Sequence, residues 1–393
     1  MNDRFFKNTK SLCPVCLEEV KAQLFQNNGK ITINKECGLH GPFHDIVDPK
    51  ADLYLQCRAK RKRRYKPYGI VIPVSSDCNL QCKWCYLPDT NQHKEFSSHT
   101  IKNIIDTCDH SYIVFSGGEP TLRKDLPELI AYVNNNHPQK YPVLLTNGIK
   151  LADRAYLKLL KKAGLHYVIF SLNSFRKEAH YYFYNADLRA LKAQALNNLK
   201  KENLWTILSM TLAKDVNEED VKKIYHYGLK NIDFIRQLRL RNVTEIGTFV
   251  KGKHLYLSDM VALVSNAIGF SIDEMSQHNR SINKVFMSSN YFALDMLKMM
   301  SKKFKNTPIG RLCYWKDIIK HSGGINTCKI LFESYRPPQT RHMFRIEIFY
   351  WPSPGNIDLS ETRLFCIDHV NNNGEILPFW EALYSNERMG IPK

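Results

Sequence analysis

Three cysteines within eight residues have the side chains and the spacing of a metal-binding loop. Cys78, Cys82 and Cys85 are spaced C-x3-C-x2-C, and the aromatic residue Tyr86 follows the third. Three thiolates can bind three irons of a four-iron cluster and leave the fourth iron without a protein ligand, whereas such clusters are ordinarily bound by four cysteines. A zinc site and three core cysteines are the alternatives, but a short loop directly after a strand is a poor place for buried packing. The spacing therefore favours an iron-sulfur cluster with one open coordination position.

A second group of potential metal ligands lies near the amino terminus. Cys13 and Cys16 form a C-x2-C pair, and Cys37 and His40 follow on a second turn after a β-like segment. Two ligands from each of two turns are typical of a ribbon-type site, which zinc or a single iron would fit. His40 is the expected fourth ligand, and Cys57 is the alternative that would make a four-sulfur, rubredoxin-like site. Unligated cysteines are disfavoured because so small a region has little core of its own.

The elements that position the cysteine loop are alternating strands and helices between residues 67 and 250. Short β-rich runs predict six strands: Gly69–Val74, Tyr112–Ser116, Pro142–Thr146, Tyr167–Leu172, Thr206–Leu212 and Ile232–Leu238. Helical patterns lie between them: Leu126–Asn135, Ala152–Ala163, Leu188–Lys201 and Glu218–Gly228. Connections of this length suit parallel strands, so we predict an α/β fold with a partial, TIM-like (β/α)6 barrel. Chemistry in such barrels lies on the loops after the strands, where the cysteine loop falls.

The cysteine loop and the end of the next strand resemble the radical S-adenosylmethionine (SAM) superfamily. The aromatic Tyr86 is part of the resemblance, and the second strand ends in Gly117-Gly118-Glu119-Pro120. This run is similar to the GGEP motif of the superfamily, whose backbone and carboxylate bind the amino group of SAM. The chemistry is consistent, because glycines let the backbone approach a ligand and a carboxylate accepts charge-assisted hydrogen bonds from an ammonium group.

Polar residues also end the third and fourth predicted strands. Thr146 and Asn147 follow the third strand and Ser171 ends the fourth, at positions where the superfamily places polar contacts to SAM. A turn at Asn147 and a cap at Ser171 are the alternatives. The sixth strand carries three arginines: Arg236, Arg239 and Arg241. One inward-pointing arginine there is expected to pair with the SAM carboxylate or with an anionic substrate, and the sequence leaves open which of the three it is.

The resemblance implies a mechanism and a set of cofactors. A [4Fe-4S] cluster at the cysteine loop would reduce bound SAM, and the resulting 5′-deoxyadenosyl radical would abstract hydrogen from an unactivated C-H position of the substrate. The cofactors would supply the difficult chemistry, so no catalytic acid or base is required of the protein. An electron donor such as flavodoxin or ferredoxin is implied as a partner.

The metal module before the predicted barrel resembles one branch of the superfamily: the tetraether lipid synthases and the related archaeal enzymes that methylate a pterin precursor. The shared features are the order CPxC, Gly29-Lys30 and C-x2-HG, and a similar Phe344–Trp380 stretch. Cysteines are fewer here, because the basic run Lys60–Arg64 stands where those enzymes have a cysteine-rich segment, and Trp380 replaces a cysteine. Whether the protein also binds an auxiliary iron-sulfur cluster stays an open question. Its candidate ligands are three further cysteines: Cys313, Cys328 and Cys366.

Composition and charge limit the remaining choices. Of 393 residues, 44% are hydrophobic and 24% charged, which predicts a folded globular protein. The net charge of +18 favours anionic partners such as phosphate groups or a membrane surface. No apolar leader starts the sequence and no run reaches about 18 apolar residues, so we predict a cytoplasmic protein with peripheral membrane contact left open. The 11 cysteines are then expected to be metal ligands or core residues rather than disulfides.

The sequence predicts three regions in the chain and leaves four hypotheses about its function. We predict a metal module over residues 1–60, a radical SAM core over 67–250 and an α+β extension over 251–393 that covers the substrate or binds an auxiliary cluster. The leading hypothesis is a radical SAM enzyme that couples or alkylates a lipid chain, and the alternatives are a pterin methyltransferase and a peptide-modifying maturase. The non-enzyme alternative is a zinc-ribbon nucleic-acid-binding protein, but it leaves the GGEP run unexplained, so nucleic acid is a disfavoured partner.

Overall fold

The computed structural model describes residues 4–57, 66–87, 95–245, 253–282, 291–296, 299, 344–363 and 365–389. The basic run Lys60–Arg64 and the cysteines Cys313 and Cys328 lie outside these residues, so the hypotheses about them stay predictions. Among the helices in the described part of the chain, none has both the length and the apolar character needed to cross a membrane.

The amino-terminal region is an antiparallel sheet whose strands follow chain order: β1 (Arg4–Leu12), β2 (Glu19–Asn27), β3 (Lys30–Cys37) and β4 (Gly41–Asp48). Asn28 and Gly29 join β2 to β3 with φ angles of 46° and 75°, the backbone that a two-residue hairpin turn requires. Alternate apolar residues such as Leu24 and Ile33 lie on one face of the sheet and pack against helix α1 (Ala51–Cys57). This small core is separate from that of the barrel.

Six parallel strands form the centre of a second, larger sheet: β5 (Gly69–Ser75), β6 (Tyr112–Gly117), β7 (Tyr141–Thr146), β8 (Tyr167–Ser171), β9 (Trp205–Leu212) and β10 (Ile235–Asn242). Strands adjacent in the chain are adjacent in the sheet, as the partial barrel requires. The first five predicted strands are confirmed within one residue at each end. The sixth starts three residues later than predicted, because Ile232 and Phe234 are buried in the preceding turn, and it ends four residues later than predicted.

Helices cover the outer face of these strands: α2 (Ser98–Thr107), α3 (Leu126–Asn136), α4 (Arg154–Lys162), α5 (Lys177–Tyr184), α6 (Arg189–Lys201) and α7 (Asp220–Lys230). The four predicted helices are confirmed within two residues at each end, and the sequence analysis missed α2 and α5. Buried side chains from the outer face, including Phe115 and Leu144, pack against the helices in the main core. The inner face carries a second apolar cluster with Val114, Val143 and Ile169. Each strand therefore has one face toward the helices and one toward the barrel interior.

The described residues of the carboxy-terminal region extend the same sheet at both edges with four strands: β11 (Tyr291–Asp295), β12 (Arg345–Phe349), β13 (Ile367–Val370) and β14 (Ile376–Pro378). β12 runs parallel to β10 and β13 runs parallel to β5, while β11 and β14 are antiparallel at the two edges. In the described part of this region, four helices accompany them: α8 (Leu257–Ile268), α9 (Ile272–Ile282), α10 (Leu359–Thr362) and α11 (Phe379–Met389). The extension is therefore part of the barrel wall and is not only a cover over it.

The amino-terminal sheet packs against the loop that follows β12. The hydroxyl of Ser11 donates to the carbonyl of Ile357 (2.7 Å), and the ammonium group of Lys35 donates to the carbonyl of Pro354 (2.7 Å) and to Ser11 (3.0 Å). Burial lowers the pKa of Lys35 to about 8. Because a buried lysine is costly unless it is hydrogen-bonded, these contacts define a specific interface between the two sheets.

Candidate active site and metal centres

The amino-terminal cysteines and histidine meet between two turns of the small sheet. The ligand atoms of Cys13, Cys16, Cys37 and His40 all lie within 4.8 Å of one another. The imidazole Nδ1 lies 3.6 Å from the Cys13 sulfur and 3.5 Å from the Cys37 sulfur, and the Cys16 and Cys37 sulfurs are 3.9 Å apart. Sulfur ligands of one tetrahedral zinc ion are about 3.8 Å apart, so these four side chains fit a single ion.

Hydrogen bonds prepare this group for metal binding. Backbone N-H donors at Leu39 and the imidazole of His40 lower the pKa of the Cys37 thiol to about 6, which favours the thiolate that binds metals. The side chain of Cys57, the alternative fourth ligand, lies outside the described residues. The structure thus brings together the four ligands expected from the sequence.

The cysteine loop after β5 has a different geometry. The Cys78 side chain is exposed, and those of Cys82 and Cys85 are half-buried. Among the described residues, the amino-terminal group is the one set of three or more His, Cys, Asp or Glu side chains that would fit a single ion. The charges of Cys78 and Cys85 both act on the Cys82 thiol, so the three thiols of the loop belong to one electrostatic group. Three thiolates from one loop are the donor set for a four-iron cluster with one open coordination position.

The electrostatic surroundings of the cysteine loop are cationic. Burial raises the pKa of the Cys82 thiol to about 12, whereas the positive charges of Lys192 and Arg241 act in the opposite direction. These two cations come from α6 and β10, far away in the sequence. They would compensate part of the negative charge that three thiolates bring to the site.

Two glycines let the end of β6 approach the start of the cysteine loop. Gly118 N-H donates to the carbonyl of Ser75 (2.8 Å), and Glu119 N-H donates to the carbonyl of Asp77 (2.7 Å). A Cβ atom on Gly117 would lie 2.3 Å from the Ser75 oxygen, and one on Gly118 would lie 2.3 Å from the Asp77 oxygen. The sequence pattern predicts that these glycines let the backbone approach a ligand. The structure adds that they are needed for contact between two neighbouring strand ends.

The carboxylate of Glu119 is buried and joins two strand ends. One oxygen accepts hydrogen bonds from Thr121 N-H (3.1 Å) and from the hydroxyls of Thr121 and Thr146 (2.6 Å each), and the other accepts from Asn147 N-H (2.8 Å). Burial raises the pKa of Glu119, and these bonds act against the rise. All of these donors are neutral, so the negative charge can still attract an ammonium group.

The polar residues after β7 and β8 differ in how accessible they are. Thr146 is buried, and its hydroxyl donates to Glu119 and accepts from Gly148 N-H (3.0 Å), so it orders the loop. Asn147 is half-buried, and its amide donates to the side-chain oxygen of Asn79 in the cysteine loop (2.8 Å). Ser171 is half-buried at the same edge of the sheet. Asn147 and Ser171 are therefore better placed than Thr146 to contact a bound cofactor.

Lys192 is a site residue that the sequence analysis missed. Its ammonium group is buried and donates to the backbone carbonyls of Asn147 (2.8 Å) and Ser171 (2.7 Å), so it joins the ends of β7 and β8. Burial lowers the pKa of Lys192 to about 7, and the charges of Cys82 and Glu119 oppose that shift. A signal was present in the sequence, because Lys192 occupies the apolar stripe of α6, whose other members are Ala195, Leu196 and Leu199.

The arginines of β10 all face the barrel interior, so the expectation of one inward-pointing arginine was too narrow. Arg239 and Arg241 share a face because strand residues alternate, and a register irregularity between Ile235 and Gln237 brings Arg236 to the same side. Arg241 stacks on Trp351 (5.0 Å from the ring centre), and its Nε donates to a threonine hydroxyl on β9 (2.9 Å). The three arginines line a cavity of about 660 Å³ inside the barrel.

Comparison with known proteins finds two domain matches and several relatives. Residues 72–228 match the model of the radical SAM superfamily, and residues 5–49 match the model of the HMPTM N-terminal zinc ribbon domain. The chain is 30% identical over 308 residues to 7,8-dihydro-6-hydroxymethylpterin dimethyltransferase of Methanocaldococcus jannaschii, covering 68% of this chain and 60% of that protein.

Two further relatives carry different activities. Fe-coproporphyrin III synthase of Methanosarcina barkeri is 35% identical over 40% of this chain and 39% of its own length. GTP 3′,8-cyclase of Helicobacter pylori strain HPAG1 is 26% identical over 64% of this chain and 81% of its own length. The chain thus spans less than two thirds of the first two relatives that it matches. The chain therefore carries a radical SAM domain, preceded by a zinc ribbon domain.

Proposed function

We propose that this protein is an enzyme that cleaves SAM reductively and uses the resulting radical on a C-H bond of a second substrate. The observation that carries the proposal is the direct connection of two strand ends. The loop with Cys78, Cys82 and Cys85 is hydrogen-bonded through Ser75 and Asp77 to the Gly-Gly-Glu turn after β6. A [4Fe-4S] cluster, when bound there, supplies the electron for SAM cleavage and so the 5′-deoxyadenosyl radical.

The chain's own residues have distinct tasks in this proposal. The three cysteines of the loop would hold the cluster and would leave a coordination position to which SAM could bind. The carboxylate of Glu119, with the backbone of the same turn, attracts the ammonium group of SAM. Asn147 and Ser171 offer polar contacts at the neighbouring strand ends, and Lys192 holds both ends in place. Tyr86 and Arg241 lie where the cavity meets the edge of the sheet that carries the cysteine loop. The guanidinium carbon of Arg241 is 5.4 Å from the ring centre of Tyr86.

The second substrate is proposed to occupy the barrel cavity. A lipid chain, the hypothesis from the sequence, is supported by the aliphatic residues of the inner face, such as Val71, Val114 and Ile207. A pterin-like substrate is supported by the match to the pterin dimethyltransferase over 68% of this chain. A cytoplasmic location, with flavodoxin or ferredoxin as electron donor, completes the proposal.

The test is SAM cleavage by anaerobically reconstituted protein. Wild-type protein loaded with iron and sulfide is expected to form 5′-deoxyadenosine after addition of dithionite and SAM. Cys82→Ala should lose both the four-iron cluster and the product. Cys108→Ala is the matched control, because Cys108 is a buried cysteine in the helix-side core and is expected to leave the iron content intact. Wild-type protein that holds a four-iron cluster and forms no 5′-deoxyadenosine would refute the proposal.

A further inference from the structure

The cavity inside the barrel extends from the cysteine-loop edge to the opposite end of the strands. Tyr86, Ser209 and Arg241 line it near the cluster site, and the first residues of the strands, including Tyr112 and Trp205, line its far end. Two side chains of this far end are partly exposed, Tyr68 at 37% and Trp205 at 46%. The cavity is therefore bounded there by side chains that also reach solvent.

One wall of the cavity is strongly cationic. Among the described residues, its lining includes four arginines and a single carboxylate, Glu347, a formal surplus of three positive charges. Glu347 lies 3.7 Å from Arg239 and 3.4 Å from Arg345, and it also accepts a hydrogen bond from Gln237. One carboxylate is thus shared between two guanidinium groups. Such an excess of positive charge on partly buried side chains makes an anion a favourable occupant of this end of the cavity.

Aromatic rings orient the guanidinium groups of this wall. Arg239 lies 4.8 Å from the ring centre of Phe349, and Arg236 lies 5.2 Å from that of Trp205. A guanidinium group stacked on a ring leaves its N-H edge in a position to bind a carboxylate or phosphate with two hydrogen bonds. The arginines are thereby preorganised for an oxyanion, whereas flexible surface arginines are not.

Two tyrosines that line the cavity, Tyr68 and Tyr167, interact electrostatically with the same Arg239–Glu347 pair. Burial and the charge of Glu347 hold the pKa of Tyr68 well above its usual value and raise that of Tyr167 to about 12, and Arg239 lowers both. Each phenol therefore stays protonated and can donate a hydrogen bond. The far end of the cavity combines guanidinium and phenol donors around Arg239.

The middle of the cavity is apolar and has a measurable length. Aliphatic side chains such as Val71, Val114 and Ile169 lie between the cationic far end and the cluster edge. On β10, Arg239 precedes Arg241 by two residues and Gln237 precedes it by four. Arg345 of β12 pairs with Gln237 and so lies at the same level of the sheet. At a rise of 3.3 Å per residue, the anion-binding groups lie roughly 7 to 13 Å from the level of Arg241.

We propose that the second substrate is an organic anion whose carboxylate or phosphate binds Arg239 and Arg345 at the far end, while an apolar body of about 10 Å places its reacting C-H bond below the cluster site. This inference rests on the proposed function, because only an enzyme that cleaves SAM would have a reacting C-H bond of its substrate below the cluster site. The binding itself does not require SAM cleavage, so the two can be tested separately.

The experiment measures binding of simple probes to reconstituted, unreduced protein by quenching of tryptophan fluorescence, since Trp205 and Trp351 line the cavity. Decyl phosphate and decanoate are the anionic probes, and they distinguish a phosphate from a carboxylate preference. Decanol is the neutral probe of the same length, and inorganic phosphate tests the anion alone. Decyl phosphate or decanoate is expected to bind at least tenfold more tightly than decanol or phosphate.

Two substitutions should shift the affinity in opposite directions. Arg239→Gln removes a charged donor and is expected to weaken binding of the anionic probe about tenfold or more, with partial recovery in Arg239→Lys. Glu347→Gln removes the competing carboxylate and is expected to strengthen binding several-fold. Arg154→Gln is the matched control, because Arg154 pairs with Glu202 on the outer helices, away from the cavity.

The outcomes separate the two proposals. Equal affinities for decanol and the anionic probes, no binding of either anionic probe, or a shift of the same sign in Arg239→Gln and Glu347→Gln would each overturn the anion site. Absence of 5′-deoxyadenosine from the wild-type protein would overturn the proposed function and leave the measured anion binding in place. Opposite shifts, with Arg154→Gln unchanged, support the inference.

Discussion

The contact between the Gly-Gly-Glu turn and the cysteine loop allows a sharp prediction for Gly118→Ala. The new Cβ atom would lie 2.3 Å from the Asp77 oxygen and 2.7 Å from its carbonyl carbon, and both are backbone atoms. Ordinary contact begins at 3.4 Å, so the cysteine loop must move by about 1.1 Å. The hydrogen bond from Glu119 N-H to Asp77, now 2.7 Å, would then be lost.

The expected cost has two parts. Overpacking of this kind costs about 1–3 kcal/mol, and the lost hydrogen bond adds about 1 kcal/mol. Because the shift falls on the loop that carries Cys78, we expect Gly118→Ala to lose most of its reconstituted iron as well as stability. Gly38→Ala is the control, since nothing lies within 4 Å of a Cβ atom at Gly38.

The assay is iron and sulfide content per chain after anaerobic reconstitution, together with thermal unfolding of the same samples. Gly38→Ala should hold as much iron as the wild type. If Gly118→Ala also held four irons per chain and unfolded at the wild-type temperature, the strand ends would not be packed as described, and the reasoning would fail.

Three further predictions concern single residues. Cys13→Ser should remove the metal of the zinc ribbon and lower the unfolding temperature while the four-iron cluster remains, and loss of the cluster in elemental analysis would contradict a purely structural ribbon. Glu119→Gln should weaken SAM binding about tenfold, because it removes the charge that attracts the ammonium group; unchanged affinity in calorimetry would exclude that role. Folding lowers the pKa of Lys192 from 10.5 to about 7. Between these two pH values the unfolded chain binds a proton that the folded protein does not bind. The free energy of unfolding should therefore rise with pH in this range. Between pH 7 and pH 9 the gain should reach up to about 2.7 kcal/mol and should be absent in Lys192→Met, as denaturant unfolding of both proteins can check.

Local patterns in the sequence were sufficient to predict that the cysteine loop and the Gly-Gly-Glu turn lie side by side. Carboxyl ends of parallel strands meet at one edge of a sheet, so the order of Cys78 after one strand and Glu119 after the next implied their proximity before any coordinates. The same holds for the metal ligands Cys13 and His40, because two short turns of one small sheet have few ways to meet. In both cases the relevant residues are close in the chain or follow from strand order.

Contacts between distant segments were decided by the tertiary structure alone. Arg239 faces Glu347 because β12 adds to the sheet beside β10, and no periodicity relates residues so far apart in the chain. Lys192 reaches the ends of β7 and β8 only because α6 packs across both. The register irregularity that brings Arg236 to the inner face depends on pairing with β9. The spacing of its cysteines therefore indicates the proposed radical chemistry, whereas the cavity proposed to bind the substrate forms only once the distant strands have paired.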